Sequence, residues 1–432
     1  MVTETLRREL GLRDLVLFNV AAVVGIRWLA AAAHTGPVSI WLWASAALCF
    51  FVPTALVVGR LAQAMPEEGG IYVWTRAEFG EWHGFLCGWC YWLNNFFYFP
   101  SLVLAGVTMA AYIAGPEWIA EAESPRFAIP AATAVIVAVT ALSLPGLASG
   151  KWVGNIGGAA TYAAGLMIVA GGIAAAWLRG PATAMTIPEI GWDKVNFWPQ
   201  IAFAFGGLEL GAILGGEIRD AARTVRRAAW ISGGAITGFY IAGTLAILAL
   251  LEPGQISVVT GLAQAGHAAG EALSMGAAGP ILAGLVTLGI AGQLGAWMTG
   301  TARLPVVFGI DRLLPASFAD TRRVLAGQSA ACIALLFAAQ AGDNFRTGYQ
   351  LLVDMTVITY FIPFLYLFLA GWRRGARPST VAGLTVTSIA IAFSFIPPGG
   401  AESAWLFAAK LLAGVAAVVA AARLLYLKRR MA

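Results

Sequence analysis

The chain has 432 residues, of which 59% are hydrophobic and only 11% are charged. A soluble domain carries about 25% charged residues, so the composition excludes a row of soluble domains and points to one polytopic membrane protein. The net charge of +5 does not mark a nucleic-acid binder, because the basic residues fall in alternate loops rather than along one stripe.

The chain opens on a charged, helix-prone leader, MVTETLRRELGLRD. It has no small-residue cleavage site ahead of the first span and does not read as a cleavable signal peptide. Twelve apolar segments follow, at 14–35, 38–62, 84–113, 127–146, 153–178, 198–218, 229–251, 279–301, 324–340, 349–370, 379–396 and 403–425. Each is near or above the ~20 residues a helix needs to cross the hydrocarbon. The connecting loops alternate in charge. One set holds 21 of the 27 basic residues, among them Arg7, Arg8, Arg60, Arg223, Arg227, Arg322, Arg373 and Arg430. The other holds Arg126, Arg179, Lys194 and Arg346. The positive-inside rule puts the larger set, and both termini, in the cytoplasm of a cell with this protein in its plasma (inner) membrane.

Four ionisable residues fall clearly inside the spans, away from their ends: Arg27, Glu209, Asp354 and Lys410. Lys410 is within reach of an interface and reads as a snorkelling side chain. Asp354 either faces a water-filled vestibule or caps packing near the outer surface. Arg27 and Glu209 are more informative, since each lies mid-span beside glycine. The first segment reads Val24-Gly25-Ile26-Arg27 and the sixth reads Gly206-Gly207-Leu208-Glu209. A carboxylate at membrane depth is costly and marks a functional site by default. Glycine beside it permits unwound backbone, tolerated where protein or a water-filled cavity surrounds it. Two interrupted helices at corresponding places in two halves point to a transporter's binding site. Their half-helix N-termini would aim N–H groups at an anionic group.

The remaining polar and aromatic residues read more plainly. Asn94, Asn95 and Gln293 either join helices or line a cavity, with Asn95 favoured for the cavity. Trp28, Trp41, Trp43, Trp74, Trp82, Trp118, Trp192 and Trp198 lie near span ends and read mostly as interface anchors. Cys49 and Cys332 read as core. Cys87 and Cys90 have the C-x-x-C spacing, but they lie on a long apolar helix rather than in a redox fold. His34, His83 and His267 sit near span ends or in loops and suggest no metal site.

Four stretches resemble the amino acid–polyamine–organocation (APC) superfamily of permeases, over nearly the whole chain from Leu12 to about Leu425. Pro66-Glu-Glu-Gly69-Gly70-Ile-Tyr72 is similar to the P-x-x-G-G-x-Y signature. Gly84-Phe85 with Gly88-Trp89-Cys-Tyr-Trp92 is similar to G-F…G-W-x-x-W. Phe203-Ala-Phe205-Gly-Gly207-Leu-Glu209, then Glu217 and Arg227, resembles the sixth-span element. Gly292-Gln-Leu-Gly295-Ala-Trp297, then Arg303, Asp311 and Pro315, resembles the eighth-span tail. The resemblance implies an all-α membrane protein of twelve transmembrane helices with the LeuT-type 5+5 inverted repeat. Residues 1–432 would be a single transporter domain, with repeat one at about 12–178, repeat two at about 198–370 and two additional helices at about 379–425. It implies secondary active transport of an amino acid or a derived metabolite by alternating access. A membrane-embedded enzyme is not expected, since the sequence has no H-E-x-x-H and no nucleophile–His pair within the spans, and no cofactor is expected. The alternative is a nutrient sensor or partner-dependent subunit on a transporter fold.

Carried over residue by residue, the resemblance assigns substrate binding to Val24, Gly25, Ile26, Arg27, Asn95, Phe203 and Trp297, and the break in the sixth segment adds Phe205, Gly206 and Gly207 to the candidate binding residues. The resemblance assigns coupling to Glu209, and the intramembrane charges Arg27 and Asp354 are added as coupling or gating candidates. An aromatic at 203 and a Trp at 297 can close over an aliphatic stem or stack on a cation. Two departures stand out. Arg27 stands where the family usually has glycine, so it either binds a substrate carboxylate through a bidentate contact, pairs with Glu209 across the broken helices, or points elsewhere. The lysine that some proton-coupled relatives carry in span 5 has no counterpart in 155–162. Exchange and proton coupling through Glu209 both stay open; partners are the small molecule and lipid, not nucleic acid.

Overall fold

The computed structural model describes residues 11–65, 70–144, 147–186, 191–195, 197–209, 218, 221–302, 304–305, 313–340, 345–397 and 403–431. The regular elements among them are helices. The first apolar segment is two of these. α1, Leu12–Val23, begins behind Gly11, whose N–H donates to the Asp14 carboxylate at 2.9 Å. The Val24 N–H makes the last full helical bond, to Val20 O at 2.9 Å, and the backbone then turns extended at Val24. α2 restarts at Trp28 and runs to His34.

Residues 36–64 are long and apolar enough to cross a membrane as one span, built from α3 (Ser39–Ala46), a π turn at Ala47–Phe51 and α4 (Val52–Ala64). Pro53 explains the wide turn, since it has no N–H for the preceding turn and a π bulge absorbs the missing bond. Cys49, expected in the core, sits on this turn and is exposed; Cys332 is buried as expected, and so are Cys87 and Cys90. α5 (Gly70–Phe79) leads into the long α6 (Glu81–Ala114). Then come α7 (Pro125–Ser143), α8 (Leu147–Arg179), the short α9 (Trp198–Phe203) and α10 (Ala221–Leu250). α11 (Gly261–Leu273) precedes α12 (Ala278–Thr301), α13 (Thr321–Gln340), α14 (Phe345–Arg373), α15 (Arg377–Phe393) and α16 (Ala404–Met431).

Nine helices among the described residues are long and apolar enough to cross a membrane. The other three expected spans fall outside that number for visible reasons. The first and sixth are interrupted, and α15 has only 17 residues. Residues 66–69 of the expected signature lie outside the described residues, as do Glu217, Arg219, Asp220, Arg303 and Asp311.

α6 and α14 form the centre: 78% of the apolar stretch of each is buried, against 17% for α16, which mostly faces outward. α12 packs on α8 and α6, α14 on α6, and α10 on α1 and α8. The α8–α12 seam is closed by small residues, the usual route to tight helix packing in lipid. A Cβ on Gly157 would run into the Gly292 backbone. The tryptophan expectation needs correcting. Trp41 and Trp118 are exposed, but Trp28, Trp43, Trp74 and Trp198 are buried. Distance from a span end along the chain is a poor guide where the span is broken or another helix covers its end.

Candidate functional site

The sixth span breaks as the first does. α9 ends at Phe203, residues 204–207 form turns, and helix resumes at Leu208–Glu209. Short-range bonds replace the helical ladder: Phe205 N–H donates to Ala202 O at 3.1 Å and Gly206 N–H to Phe203 O at 2.8 Å. Gly207 adopts φ +110°, a conformation open to glycine and strained for other residues. Gly206 is required for room, since a Cβ there would meet the Tyr360 ring at 2.6 Å.

One side chain joins the two breaks. The Tyr240 hydroxyl, from α10, accepts from Gly25 N–H at 3.1 Å. It lies 3.0 Å from Val23 O and 2.9 Å from Ala204 O, and its single hydrogen serves one of these carbonyls at a time. The ring is held by Trp43, stacked at 4.2 Å and 12°, and Trp43 donates to Thr244 Oγ1 at 2.9 Å. Unwound backbone at membrane depth must find partners within the protein, and Tyr240 supplies them to both breaks.

Between the breaks lies a small cavity lined by Val23, Trp28, Asn94, Tyr98, Phe203, Ala204, Gly206, Gln293, Trp297 and Tyr360, with about 20 Å³ of water-accessible space. Its walls are mostly aromatic. Phe203 meets Trp28 edge-on at 5.5 Å, Tyr98 at 6.0 Å and Tyr360 at 4.8 Å, and Tyr98 meets Trp297 at 5.9 Å.

Phe203, Gly206 and Trp297 are therefore where a lining role puts them. Others are not. Asn95, expected at the cavity, is turned back on its own helix, donating to Tyr91 O and Trp92 O at 3.2 and 3.0 Å; its neighbour Asn94 lines the space instead. Phe205 packs behind the break against Trp43 and Tyr240 at 5.8 and 5.6 Å. Asp354 is buried and accepts from the Gln350 amide at 3.1 Å, away from the lining. Val24, Gly25, Ile26 and Arg27 form the first break, but Val23 is the residue of that segment which touches the cavity, followed by Trp28.

Glu209 is fully buried. Its Oε1 accepts from the Tyr91 and Tyr360 hydroxyls at 2.8 and 2.6 Å, and its Oε2 accepts from Gly207 N–H at 3.1 Å. Arg27 donates through Nη1 to Ser101 Oγ at 3.3 Å. Its guanidinium carbon lies 4.2 Å from the Trp28 ring centre and 4.9 Å from that of Tyr98. Arg27 and Glu209 do not bond to each other in this conformation, so the lock between the two broken helices is not made here.

Residues that sequence reasoning missed are Tyr91, Tyr98, Tyr240 and Tyr360. The available signal was a phenol at mid-span, which needs a hydrogen-bond partner in lipid.

A family model described as amino acid permease matches residues 10–422. The chain belongs to this family. The permease is 25% identical over 406 residues to an uncharacterised transporter of Legionella pneumophila, spanning 90% of this chain and 86% of that one. It is 23% identical to the serine/threonine exchanger SteT of Bacillus subtilis, over 58% of this chain and 57% of that one. Among solved structures it is similar to MhsT in complex with L-phenylalanine, with a TM-score of 0.58 and 14% identity over 91% of this chain and 98% of that one. That likeness carries the fold, the LeuT-type arrangement of helices, and nothing about substrate. The permease is thus a multi-pass membrane protein of a transporter family.

Proposed function

We propose that this permease moves an amino acid or a close derivative across the membrane by alternating access, with the substrate held between the two helix breaks. The observation that carries this is the facing pair of interruptions, 24–27 and 204–207, around one aromatic-walled cavity and tied together by Tyr240. In this reading the chain has twelve spans in two inverted repeats of five, with α15 and α16 added, and both termini in the cytoplasm. Phe203 and Trp297 close over the substrate, while Asn94 and Gln293 offer it polar contacts. The cavity is too small for an amino acid as it stands, so the aromatic walls must part to admit one. Glu209, with two phenols and one backbone N–H on its carboxylate, is the group whose protonation could be coupled to that movement.

The experiment is counterflow in proteoliposomes. Vesicles holding a millimolar unlabelled amino acid are diluted into the same compound, radiolabelled. A permease concentrates label transiently for its own substrates and not for others. A folded, reconstituted protein that gives no counterflow with any amino acid would favour the sensor or subunit alternative, for which an arginine in place of the usual glycine is the motive.

A further inference from the structure

We infer that the side of Arg27 carrying Nε and Nη2 is the receptor for a carboxylate, and that the substrate of this permease is net anionic: an acidic amino acid or a dicarboxylate. This rests on the transporter reading above and adds the substrate class to it.

Arg27 is only 5% exposed. Its Nη1 is anchored on Ser101 Oγ at 3.3 Å. Its guanidinium carbon lies within cation–π range of the Trp28 and Tyr98 rings, contacts that bring no counter-charge. Nε and Nη2 are buried and make no hydrogen bond. The Tyr98 hydroxyl is within side-chain hydrogen-bonding reach of the guanidinium, but it is a neutral partner outside normal bonding geometry to Nε or Nη2 and supplies no counter-charge. These two nitrogens form one edge, whose parallel N–H groups match the two oxygens of a carboxylate. The bonding gap at Arg27 therefore has the shape of a carboxylate.

Charge makes the second half of the argument. A buried guanidinium with no counter-ion in contact is costly at membrane depth. Glu209 spends its oxygens on Tyr91, Tyr360 and Gly207, and no acidic side chain among the described residues bonds to Arg27. A zwitterion brings one positive charge with its negative one and leaves the guanidinium uncompensated. A net anion compensates it, whereas a cationic amine adds repulsion. Trp28 and Tyr98 both flank Arg27 and wall the cavity, so parting that wall to enlarge the site adds Arg27 to its lining.

The test is equilibrium binding and counterflow with the purified full chain, using glutamate, aspartate and succinate against leucine, serine and putrescine. The expected result is binding of the acidic set, weakened about 30-fold or more by Arg27→Gln, the low end of what losing one partner of a buried charged pair costs. Arg27→Lys keeps the charge without the fork and should lose less. Ligand-free Arg27→Gln should melt no lower than the parent, because it removes an unpaired charge. If neutral amino acids or putrescine bind as tightly as the acids, or if both variants bind acids like the parent, the anion assignment is overturned while the permease reading stands. If the folded parent binds and moves none of the classes, both are overturned.

Discussion

Replacing Tyr240 with Phe removes one oxygen and leaves the ring free to stay stacked on Trp43. That oxygen is the partner of Gly25 N–H in the first break and of Val23 O or Ala204 O across the two breaks. The variant strands a buried donor, at about 1–3 kcal/mol; hydrogen bonds measured between membrane helices average lower, about 0.6 with a maximum near 1.7 kcal/mol. A loss of about 1–3 kcal/mol in the arrangement that binds substrate is about a 5- to 150-fold weaker affinity. Binding of the best counterflow substrate to Tyr240→Phe should fall in that range, with a lower melting temperature. Trp43→Phe, which keeps an aromatic stack but loses the bond to Thr244, should show a smaller defect. If Tyr240→Phe matched the parent in affinity and melting temperature, the idea that this hydroxyl holds the two breaks in register would be refuted.

Three further outcomes follow from the same geometry. Gly206→Ala drives a methyl group into the Tyr360 ring and should displace that phenol from Glu209. Counterflow should fall at least tenfold, and combining it with Tyr360→Phe should add little, as residues in one network couple; full additivity would separate the two. Glu209→Gln preserves one accepting oxygen for Tyr91 and Tyr360 but turns an amide NH₂ against Gly207 N–H, so stability should drop by about 1–3 kcal/mol, read as a lower melting temperature. An unchanged melting point would mean the carboxylate is not held as described. Gly157→Val would force α8 off the Gly292 backbone, and overpacking of this kind costs about 1–3 kcal/mol. Thermal unfolding should detect that, and a neutral result would contradict the tight α8–α12 seam.

Much of the architecture was legible because membrane depth imposes simple rules. Long apolar runs read as spans, and a charge beside glycine at mid-span read as a break, at both 24–27 and 204–207. What could not be read was which side of a buried helix a residue faces. Asn94 and Asn95 are adjacent, about 100° apart around α6, and both are buried, so no hydrophobic pattern distinguishes the cavity side. Phe203, at the end of α9, and Phe205, in the turn beyond it, pose the same problem. Trp28 read as an interface anchor from its place near a span end, but it starts the half-helix that follows the break and is buried in the core. Tyr240 was invisible for a different reason. Its role depends on two carbonyls and an N–H from segments that lie far from it in the chain, and only the packing of α10 against both breaks brings them together.

The most direct test of the central claim is cysteine accessibility at the cavity wall. With Cys49, Cys87, Cys90 and Cys332 replaced, Phe203→Cys would be probed with a membrane-impermeant thiol reagent from each side of oriented vesicles. The account predicts reaction from both sides, one at a time as the protein alternates, and protection by any compound that shows counterflow. Reaction from a single side only, or labelling that a transported substrate leaves unchanged, would contradict a substrate site between the two breaks.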